Sequence, residues 1–270
     1  MKAKYQIILL LLICFNVFKV IGQKPTSTII FMGYHGDIPV FNEVAENNIY
    51  IYDGKEFVYK AKYSENYEFK LVEKDLYFFQ VTDQKGNIYA VLKRGLEGEE
   101  KRYKIESSIL YSTSDGDNIY FTDKNGHIKT LSTDGVISNT RYKGEVLGFA
   151  KGCLYFSKVH DDDLPYANAD IFELDILVST SSPKKIITNV SGEATFVFPD
   201  GKYIFEKVLM DGEFKPFIFD IKGNRRMLVN INNKFLNTNP FFVGDKERLV
   251  FYISKTLETE FLDVEEFFNR

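Results

Sequence analysis

Cysteine and tryptophan are scarce in this sequence. Its 270 residues contain two cysteines and no tryptophan. Cys14 lies in an N-terminal segment that we expect to be removed, which leaves Cys153 alone and excludes an intramolecular disulfide. One thiol and three scattered histidines also argue against a zinc site. Because Cys153 precedes the apolar run Leu154-Tyr155-Phe156, we interpret it as a buried structural thiol.

A long hydrophobic run is also lacking. The longest run, Ile7–Phe15, has nine apolar residues, whereas a helix needs about 20 to cross a membrane. Lysines precede this run and small or slender residues follow it, which is typical of a secretory signal. We predict that residues 1–22 are a signal peptide and that the mature chain has no transmembrane segment. The prediction implies export to the periplasm, the cell surface or the extracellular space.

The sequence has no excess of positive charge. It contains 34 Lys and Arg against 38 Asp and Glu, and removal of the three lysines within residues 1–22 leaves a net charge of −7. Nucleic-acid binding draws its affinity from Lys and Arg that release counterions, and the only adjacent arginines are Arg225-Arg226. The acidic mature chain therefore argues against a nucleic-acid partner.

Aromatic residues, in contrast, are abundant. The 25 Phe and 17 Tyr favour strands, because flat rings fit a pleated surface. A short apolar and aromatic core recurs at a mean spacing of about 40 residues, which is typical of the four-stranded blade of a β-propeller. Its six copies are Ile49-Tyr50-Ile51, Leu76-Tyr77-Phe78, Ile119-Tyr120-Phe121, Leu154-Tyr155-Phe156, Tyr203-Ile204-Phe205 and Leu249-Val250-Phe251.

One repeat is clear enough to predict as an antiparallel meander. Asn118–Thr122 is a predicted strand, Lys124-Asn125-Gly126 a tight turn and His127–Ser132 the next strand. The repeated cores are apolar at consecutive positions, so we expect sheets to cover both faces, with aromatic rings packed between sheets. We predict an all-β chain whose residues 23–270 form a single β-propeller domain of six blades. Five or seven blades are alternatives because the spacing is uneven.

Both ends of the mature chain are predicted to be strands. Thr28–Met32 has no obvious hairpin partner, and an open ring would expose sheet edges. We therefore predict that this N-terminal strand closes the ring by completing the last blade. At the other end, Thr259–Val264 is predicted as a strand followed by a short tail or turn of helix, with a helical stripe from Leu257 to Phe268 as the alternative.

The segment from Phe196 to Phe205 resembles the repeat of TolB-like, WD40-like (PD40) propellers. In that repeat an apolar strand leads through Pro-Asp-Gly-Lys, here residues 199–202, into a second apolar strand. The likeness covers residues 145–264 and implies a propeller fold without a specific activity. The α/β domain that precedes the propeller in TolB has no room here, so the resemblance does not extend to TolB itself or to its lipoprotein partner. Phe also replaces the strand-leading Trp that is common in such repeats.

The densest group of candidate contact residues lies in the longest apparent insertion. His160-Asp161-Asp162-Asp163 is followed by Tyr166 and Asp170. Such carboxylates can bind Ca²⁺ or meet a basic protein partner. A solvated acidic loop is the alternative, because no Asp-x-Asp-x-Asp-Gly calcium loop is present. We predict a partner-binding loop without a cofactor, with Ca²⁺ as the alternative.

No catalytic motif stands out in the sequence. A Gly-x-Ser-x-Gly elbow is lacking, and carboxylates for a glycosidase are too many to select from: Asp37, Glu43, Asp75, Asp123, Asp170 and Glu206. We therefore predict a non-catalytic propeller that binds a protein or an envelope component through its loop face, in an inhibitor, immunity-type or envelope-assembly role. The alternative is a carbohydrate-active enzyme or lectin with a site at the propeller channel, where Tyr would replace Trp against sugar faces.

Overall fold

The computed structural model describes residues 25–64, 66–159, 168–177, 181–191, 196–198, 200–210, 212–235, 238–243, 248–253 and 256–269. Within these ranges the regular secondary structure is almost entirely β-strand, which confirms the all-β prediction. Helix is confined there to a 3-10 turn, Asn233–Phe235, and to α1, Val264–Asn269. Neither is long and apolar enough to span a membrane. The predicted signal peptide lies outside the described residues.

The strands form six consecutive antiparallel meanders, which we number units 1 to 6. Unit 1 contains β1 (Ile29–His35), β2 (Ile38–Glu43), β3 (Asn48–Tyr52) and β4 (Phe57–Lys62). Unit 2 contains β5 (Tyr67–Glu73), β6 (Leu76–Thr82), β7 (Ile88–Arg94) and β8 (Glu100–Ile105). Unit 3 contains β9 (Ile109–Ser114), β10 (Asn118–Asp123), β11 (His127–Ser132) and β12 (Ile137–Lys143).

The second half of the chain repeats this arrangement. Unit 4 contains β13 (Glu145–Ala150), β14 (Cys153–Val159), β15 (Asn168–Asp175) and β16 (Lys184–Ser191). Unit 5 contains β17 (Phe196–Val197), β18 (Tyr203–Met210), β19 (Glu213–Asp220) and β20 (Arg225–Leu228). Unit 6 contains three described strands, β21 (Phe241–Val243), β22 (Arg248–Tyr252) and β23 (Thr259–Asp263).

All first strands run in the same direction, because four antiparallel strands bring the chain back to the rim where it began. β1 and β5 pair in parallel through Gly33 with Val72 and Tyr34 with Glu73, which joins units 1 and 2 into one eight-stranded sheet. We define the upper rim as the edge of the molecule where the first strand of each unit begins and the second strand ends. The opposite rim, where first strands end, is the lower rim.

Six clusters of buried apolar side chains join the described units to one another. Five of them join consecutive units, from units 1 and 2 through to units 5 and 6. The sixth joins unit 6 to unit 1, with Phe41 and Tyr50 packed against Phe241 and Val250. The twelve largest fully buried side chains are all Phe or Tyr. The aromatic residues therefore fill the space between sheets, as the sequence predicted.

The role predicted for the N-terminal strand is wrong in the described part of the chain. β1 pairs with β2 and β5, and none of its strand partners belongs to unit 6. The sequence prediction missed β2, which follows the tight turn at Gly36 and Asp37 and gives β1 a local partner. A short turn closes at a smaller entropy cost than a loop of about 200 residues. The chain ends meet through side chains instead, with the rings of Phe31 and Phe241 stacked 6.0 Å apart.

The first predicted copy of the repeat is displaced by one strand. The first predicted copy, Ile49-Tyr50-Ile51, lies in the third strand of unit 1, whereas the other five copies lie in second strands. The equivalent segment is Pro39-Val40-Phe41 in β2, which removes the short first interval of the predicted repeat.

At the C-terminus, β23 followed by α1 confirms the predicted strand and turn of helix.

Candidate functional site

Most of the predicted contact loop falls outside the described residues. His160, Asp161, Asp162, Asp163 and Tyr166 all lie in the connection between β14 and β15, of which residues 160–167 are not described. The two strand ends that this connection joins are at the upper rim.

Asp170 is the one member of that group that the structure describes. It lies in β15, is buried, and forms an ion pair with Lys185 of β16 at 2.5 Å. Its carboxylate thus links two neighbouring strands of unit 4.

In the described first and second strands, exposed apolar side chains lie mainly at the upper rim. Among the described first and second strands, the large exposed apolar residues on this rim or directly after it are Ile30, Val44, Leu110, Tyr111, Val159 and Met210. We call them the apolar rim residues. The same strands carry one such residue at the lower rim, Ile38, whereas the third and fourth strands and their turns place Val136, Ile137 and Leu177 at the lower rim and Leu228 at the upper rim. An apolar surface concentrated on one side of a molecule marks a site of contact with another molecule.

A second repeated feature is a polar side chain that follows a buried Phe in the second strand of each unit. The six residues at this position are polar: Asn42, Gln80, Thr122, Ser157, Glu206 and Tyr252. The signal was present in the repeated cores of the sequence, but sequence reasoning stopped at the aromatic residue and missed it.

In units 2 and 3 this polar side chain binds the first strand of the next unit. The backbone N–H of Ile109, the first residue of β9, donates to Gln80 Oε1 at 2.7 Å. The N–H of Val146 in β13 donates to Thr122 Oγ1 at 3.0 Å, and that hydroxyl donates to the Gly144 carbonyl at 2.9 Å. These bonds satisfy backbone groups that sheet pairing leaves open.

The same contact occurs between unit 6 and unit 1. The Tyr252 hydroxyl donates to the carbonyl of Ile29, the first residue of β1, at 3.3 Å. Burial raises the pKa of Tyr252, so the hydroxyl keeps its proton and acts as a donor. The two ends of the chain are therefore joined by the kind of bond that joins units 2 to 3 and 3 to 4.

Unit 1 departs from this pattern. The Asn42 side chain makes no such bond to unit 2 within the described residues, and a cleft of about 400 Å³ lies there instead. Its lining includes four carboxamides, a carboxylate and two aromatic rings; the carboxamides belong to Asn42, Asn47, Asn66 and Gln80. The cleft opens at the upper rim, between the end of β2 and the start of β5.

A second cleft, of about 390 Å³, lies between units 4 and 5. Lys185 and Arg226 line it, and each is paired with a buried carboxylate, Asp170 and Glu206 respectively. Burial raises the pKa of Glu206, and the Arg226 guanidinium counteracts this rise only in part. Because both bases are already neutralised, their charges are not free for an added anion.

Glu43 has a structural role. It is fully buried and accepts hydrogen bonds from the backbone N–H groups of Thr26 and Ser27 and from Asn48 Nδ2 at 2.7 Å. Burial alone would raise the pKa of Glu43, but the hydrogen bonds from Asn48, Ser27 and Thr26 outweigh it and lower the pKa. The carboxylate anchors the segment that leads into β1.

The other carboxylates considered for glycoside hydrolysis are dispersed. Asp123 is buried and holds the turn between β10 and β11, accepting from the His127 N–H at 3.0 Å and lying 3.2 Å from Lys129 Nζ. Asp37 and Asp75 are exposed in turns at the lower rim. Of the six, only Asp170 and Glu206 approach one cleft, through their basic partners. The four buried carboxylates each have structural partners in neighbouring strands or turns.

The described histidines and the remaining cysteine are separate from one another. His35 is at the lower rim, with a buried Nδ1 that has no hydrogen-bond partner and a ring 5.7 Å from Tyr77. His127 is at the upper rim. Cys153 begins β14 as a free thiol, and partial burial, with Glu173 and Asp175 nearby, raises its pKa. No group of three or more His, Cys, Asp or Glu suited to a metal ion occurs in the described ranges.

No family model matches the sequence, and no curated protein matches it. Solved structures do match the fold. The crystal structure of TolB from Acinetobacter baumannii superposes with a TM-score of 0.59 at 14% identity, covering 88% of this chain and 61% of that one. The chain thus spans less than two thirds of the length of TolB.

Two further solved structures have the same fold. The β-propeller domain of the Trilobed protease from Pyrococcus furiosus, described as having an open velcro topology, gives a TM-score of 0.55 at 12% identity, covering 88% of this chain and 83% of that one. An oligogalacturonate lyase in complex with manganese gives 0.55 at 11% identity, covering 83% and 73%. The chain has a TolB-like β-propeller fold, and identities this low carry the fold alone.

Proposed function

We propose that this chain is an exported, non-catalytic propeller that binds a protein or another envelope component through its upper rim. In this proposal units 1 to 6 are the six blades of a closed ring. The sixth buried cluster and the hydrogen bond from Tyr252 to Ile29 support closure by packing of unit 6 on unit 1.

The observation that carries the proposal is that the exposed apolar residues of the first and second strands lie at the upper rim, with Ile38 as the exception. A typical protein interface combines an apolar centre with a polar margin. Leu110 and Met210 supply apolar surface in units 3 and 5. Val159 is exposed at the end of β14, and in the sequence His160 and then Asp161, Asp162 and Asp163 follow it. Apolar surface together with acidic residues suits a partner that carries basic side chains.

The predicted signal in residues 1–22 supports export to the periplasm, the cell surface or the extracellular space. A binding surface without a catalytic pair suits an inhibitor, an immunity-type protein or a component of envelope assembly. The proposed binding requires no cofactor. Expression of the full chain with a C-terminal tag, followed by fractionation and N-terminal sequencing, tests the export step. A mature chain that begins near Gln23 outside the cytoplasm is expected, and an uncleaved cytoplasmic chain would contradict it.

The binding surface is tested by affinity capture from an envelope extract. The double variant Leu110→Lys with Met210→Lys places charge on the upper rim and is expected to lose the captured partner. The matched control, Val136→Lys with Leu177→Lys, alters two exposed apolar residues near the lower rim and is expected to retain it. Equal capture by both variants, or loss only in the control, would reject the upper rim as the binding surface.

The acidic loop is tested separately in the same capture experiment. The triple variant Asp161→Lys, Asp162→Lys and Asp163→Lys is expected to weaken capture of a basic partner. An unchanged set of captured proteins would remove this loop from the proposal and leave the apolar rim residues as the contact surface.

A further inference from the structure

We propose that the cleft between units 1 and 2 is a binding site for a neutral saccharide. This site is additional to the proposed protein contact, whose test residues lie in units 3 and 5. Its volume of about 400 Å³ falls within the range of about 300–1,000 Å³ that is typical of small-molecule sites.

The cleft exists where a repeated contact between units is missing. In units 2, 3 and 6 the polar residue after the buried Phe bonds to the start of the next first strand. Asn42 occupies the equivalent position in unit 1, yet it lines the cleft together with Tyr67 and Phe69 from the start of β5. Its carboxamide, which makes no side-chain hydrogen bond in the described part of the chain, is available to a ligand.

The lining matches hydroxyl groups. A carboxamide offers two N–H donors and a carbonyl acceptor, and a hydroxyl both donates and accepts, so Asn42 and Asn66 can each bond a hydroxyl in either sense. Gln80 is already fixed, because its Oε1 accepts from Ile109 and its Nε2 donates to Glu68 Oε2 at 3.0 Å. Glu68 retains lone pairs that can accept further protons from hydroxyl groups.

Two aromatic rings supply an apolar surface beside these polar groups. Phe69 is buried and stacks on Tyr77 and Phe79, so it offers only its edge to the cleft. Tyr67 is the more accessible ring, and its hydroxyl is held by Glu100 at 2.8 Å and by Arg102 at 2.7 Å. A sugar ring has an apolar face of C–H groups that packs on aromatic carbon, with hydroxyls at its edge. Because the Tyr67 ring is fixed before a ligand arrives, less side-chain entropy is lost on binding.

Other ligand classes fit this lining less well. An anion would find no free cation, because the lining residues include no Lys, Arg or His and the neighbouring Lys70 is already paired with Glu68. A metal ion would find a single carboxylate there. An apolar ligand would leave the Asn42 and Asn66 carboxamides desolvated without hydrogen-bond partners, which is unfavourable. A neutral polyhydroxylated ligand avoids all three penalties.

The mature chain applied to a glycan array of neutral and acidic glycans tests the proposal, followed by calorimetric titration of the strongest neutral glycan. We expect neutral glycans to bind and acidic ones to bind weakly or not at all. Asn42→Leu and Asn66→Ala are each expected to weaken binding of the neutral glycan at least tenfold. The matched control is Asn224→Ala, which removes a carboxamide from the second cleft and should leave binding unchanged.

Several results would overturn this assignment. One such result is that no neutral glycan on the array binds, or that only peptides bind. Another is that Asn42→Leu and Asn66→Ala both keep full affinity for the neutral glycan, or that Asn224→Ala loses as much affinity as they do. Thermal melting identifies a variant that fails to fold, and Asn66, which is exposed, serves as the second variant if Asn42→Leu unfolds. The capture experiment with Leu110 and Met210 variants is independent, so failure of either proposal leaves the other standing.

Discussion

At the scale of single residues, buried polar side chains connect the sheets and anchor the chain. Gln80, Thr122 and Tyr252 join neighbouring units, and Glu43 holds the segment before β1. The sequence marks these positions only as polar residues after an apolar core. Which backbone group each one meets depends on the next unit, so their partners were not predictable from one strand.

Thr122→Val removes the link between units 3 and 4. Val has nearly the same shape but leaves the buried Val146 N–H without its acceptor, which costs about 1–3 kcal/mol. Urea denaturation should therefore show a midpoint shifted to lower urea with an unchanged slope. Thr130→Val is the matched control, since the Thr130 hydroxyl makes one long bond of 3.5 Å to Ser138 at the surface, and its expected effect is below about 0.5 kcal/mol. Equal effects of the two variants would contradict the link.

Glu43 gives the stability of the chain a pH dependence. Its folded-state pKa is lowered from the ordinary 4.5, so its stabilisation is present above pH 4.5 and is lost as the pH falls from there through the lowered pKa. Glu43→Gln should be less stable by about 1–3 kcal/mol at pH 7. The difference from the unmodified chain should shrink as the pH approaches 3.

Chemical denaturation at a series of pH values measures this effect. Glu46→Gln is the control, because Glu46 is exposed and pairs only with exposed Lys62; its curve should follow that of the unmodified chain. A constant difference between Glu43→Gln and the unmodified chain from pH 7 to pH 3 would show that ionisation of Glu43 has no part in it.

At the scale of elements, hairpins with strong turn signals were predicted well. The strands on either side of Asn125-Gly126 lie where the sequence placed them. The hairpin of β1 and β2 was missed, because no turn was predicted at Gly36 and Asp37. Local turn chemistry thus identified strands best where the two central residues tolerate a left-handed backbone.

Gly33→Ala should disrupt the parallel pairing of β1 with β5. Gly33 has a φ of +126°, and a Cβ there would lie 2.0 Å from the Val72 carbonyl oxygen, so the strands would have to separate. We expect a loss above about 2 kcal/mol, seen as a lower melting temperature. Gly36→Ala is the control, because its φ is also positive but no atom lies within 4 Å of its Cβ position. A larger loss in Gly36→Ala would contradict the close strand approach.

At the scale of the whole molecule, the contact between the first and last units is decisive. Phe241 packs against Phe31 and Phe41 of unit 1, although 210 and 200 residues separate these partners in sequence. The proposed ring treats this interface as equivalent to the other five. Side-chain packing thus holds the two ends of the chain together, although no described strand of unit 1 pairs with unit 6.

Phe241→Ala and Phe121→Ala compare the closing interface with an internal one. Both rings are fully buried, and in a closed ring each truncation should cost about 3–5 kcal/mol, with a single unfolding transition by calorimetry. A much smaller cost for Phe241→Ala, or a separate early transition of units 1 and 6, would indicate that the ends come apart easily.

The sequence by itself determined the all-β class, the aromatic packing between sheets and the TolB-like repeat, because these depend on composition and on short-range turn and strand patterns. Only the tertiary structure decided that β1 belongs to unit 1, that Glu43 is a buried anchor and that a carboxamide-lined cleft faces Asn42. Those features depend on how a turn closes and on how neighbouring strands and units pack against one another, and the residue pattern within a single strand does not specify its packing partner.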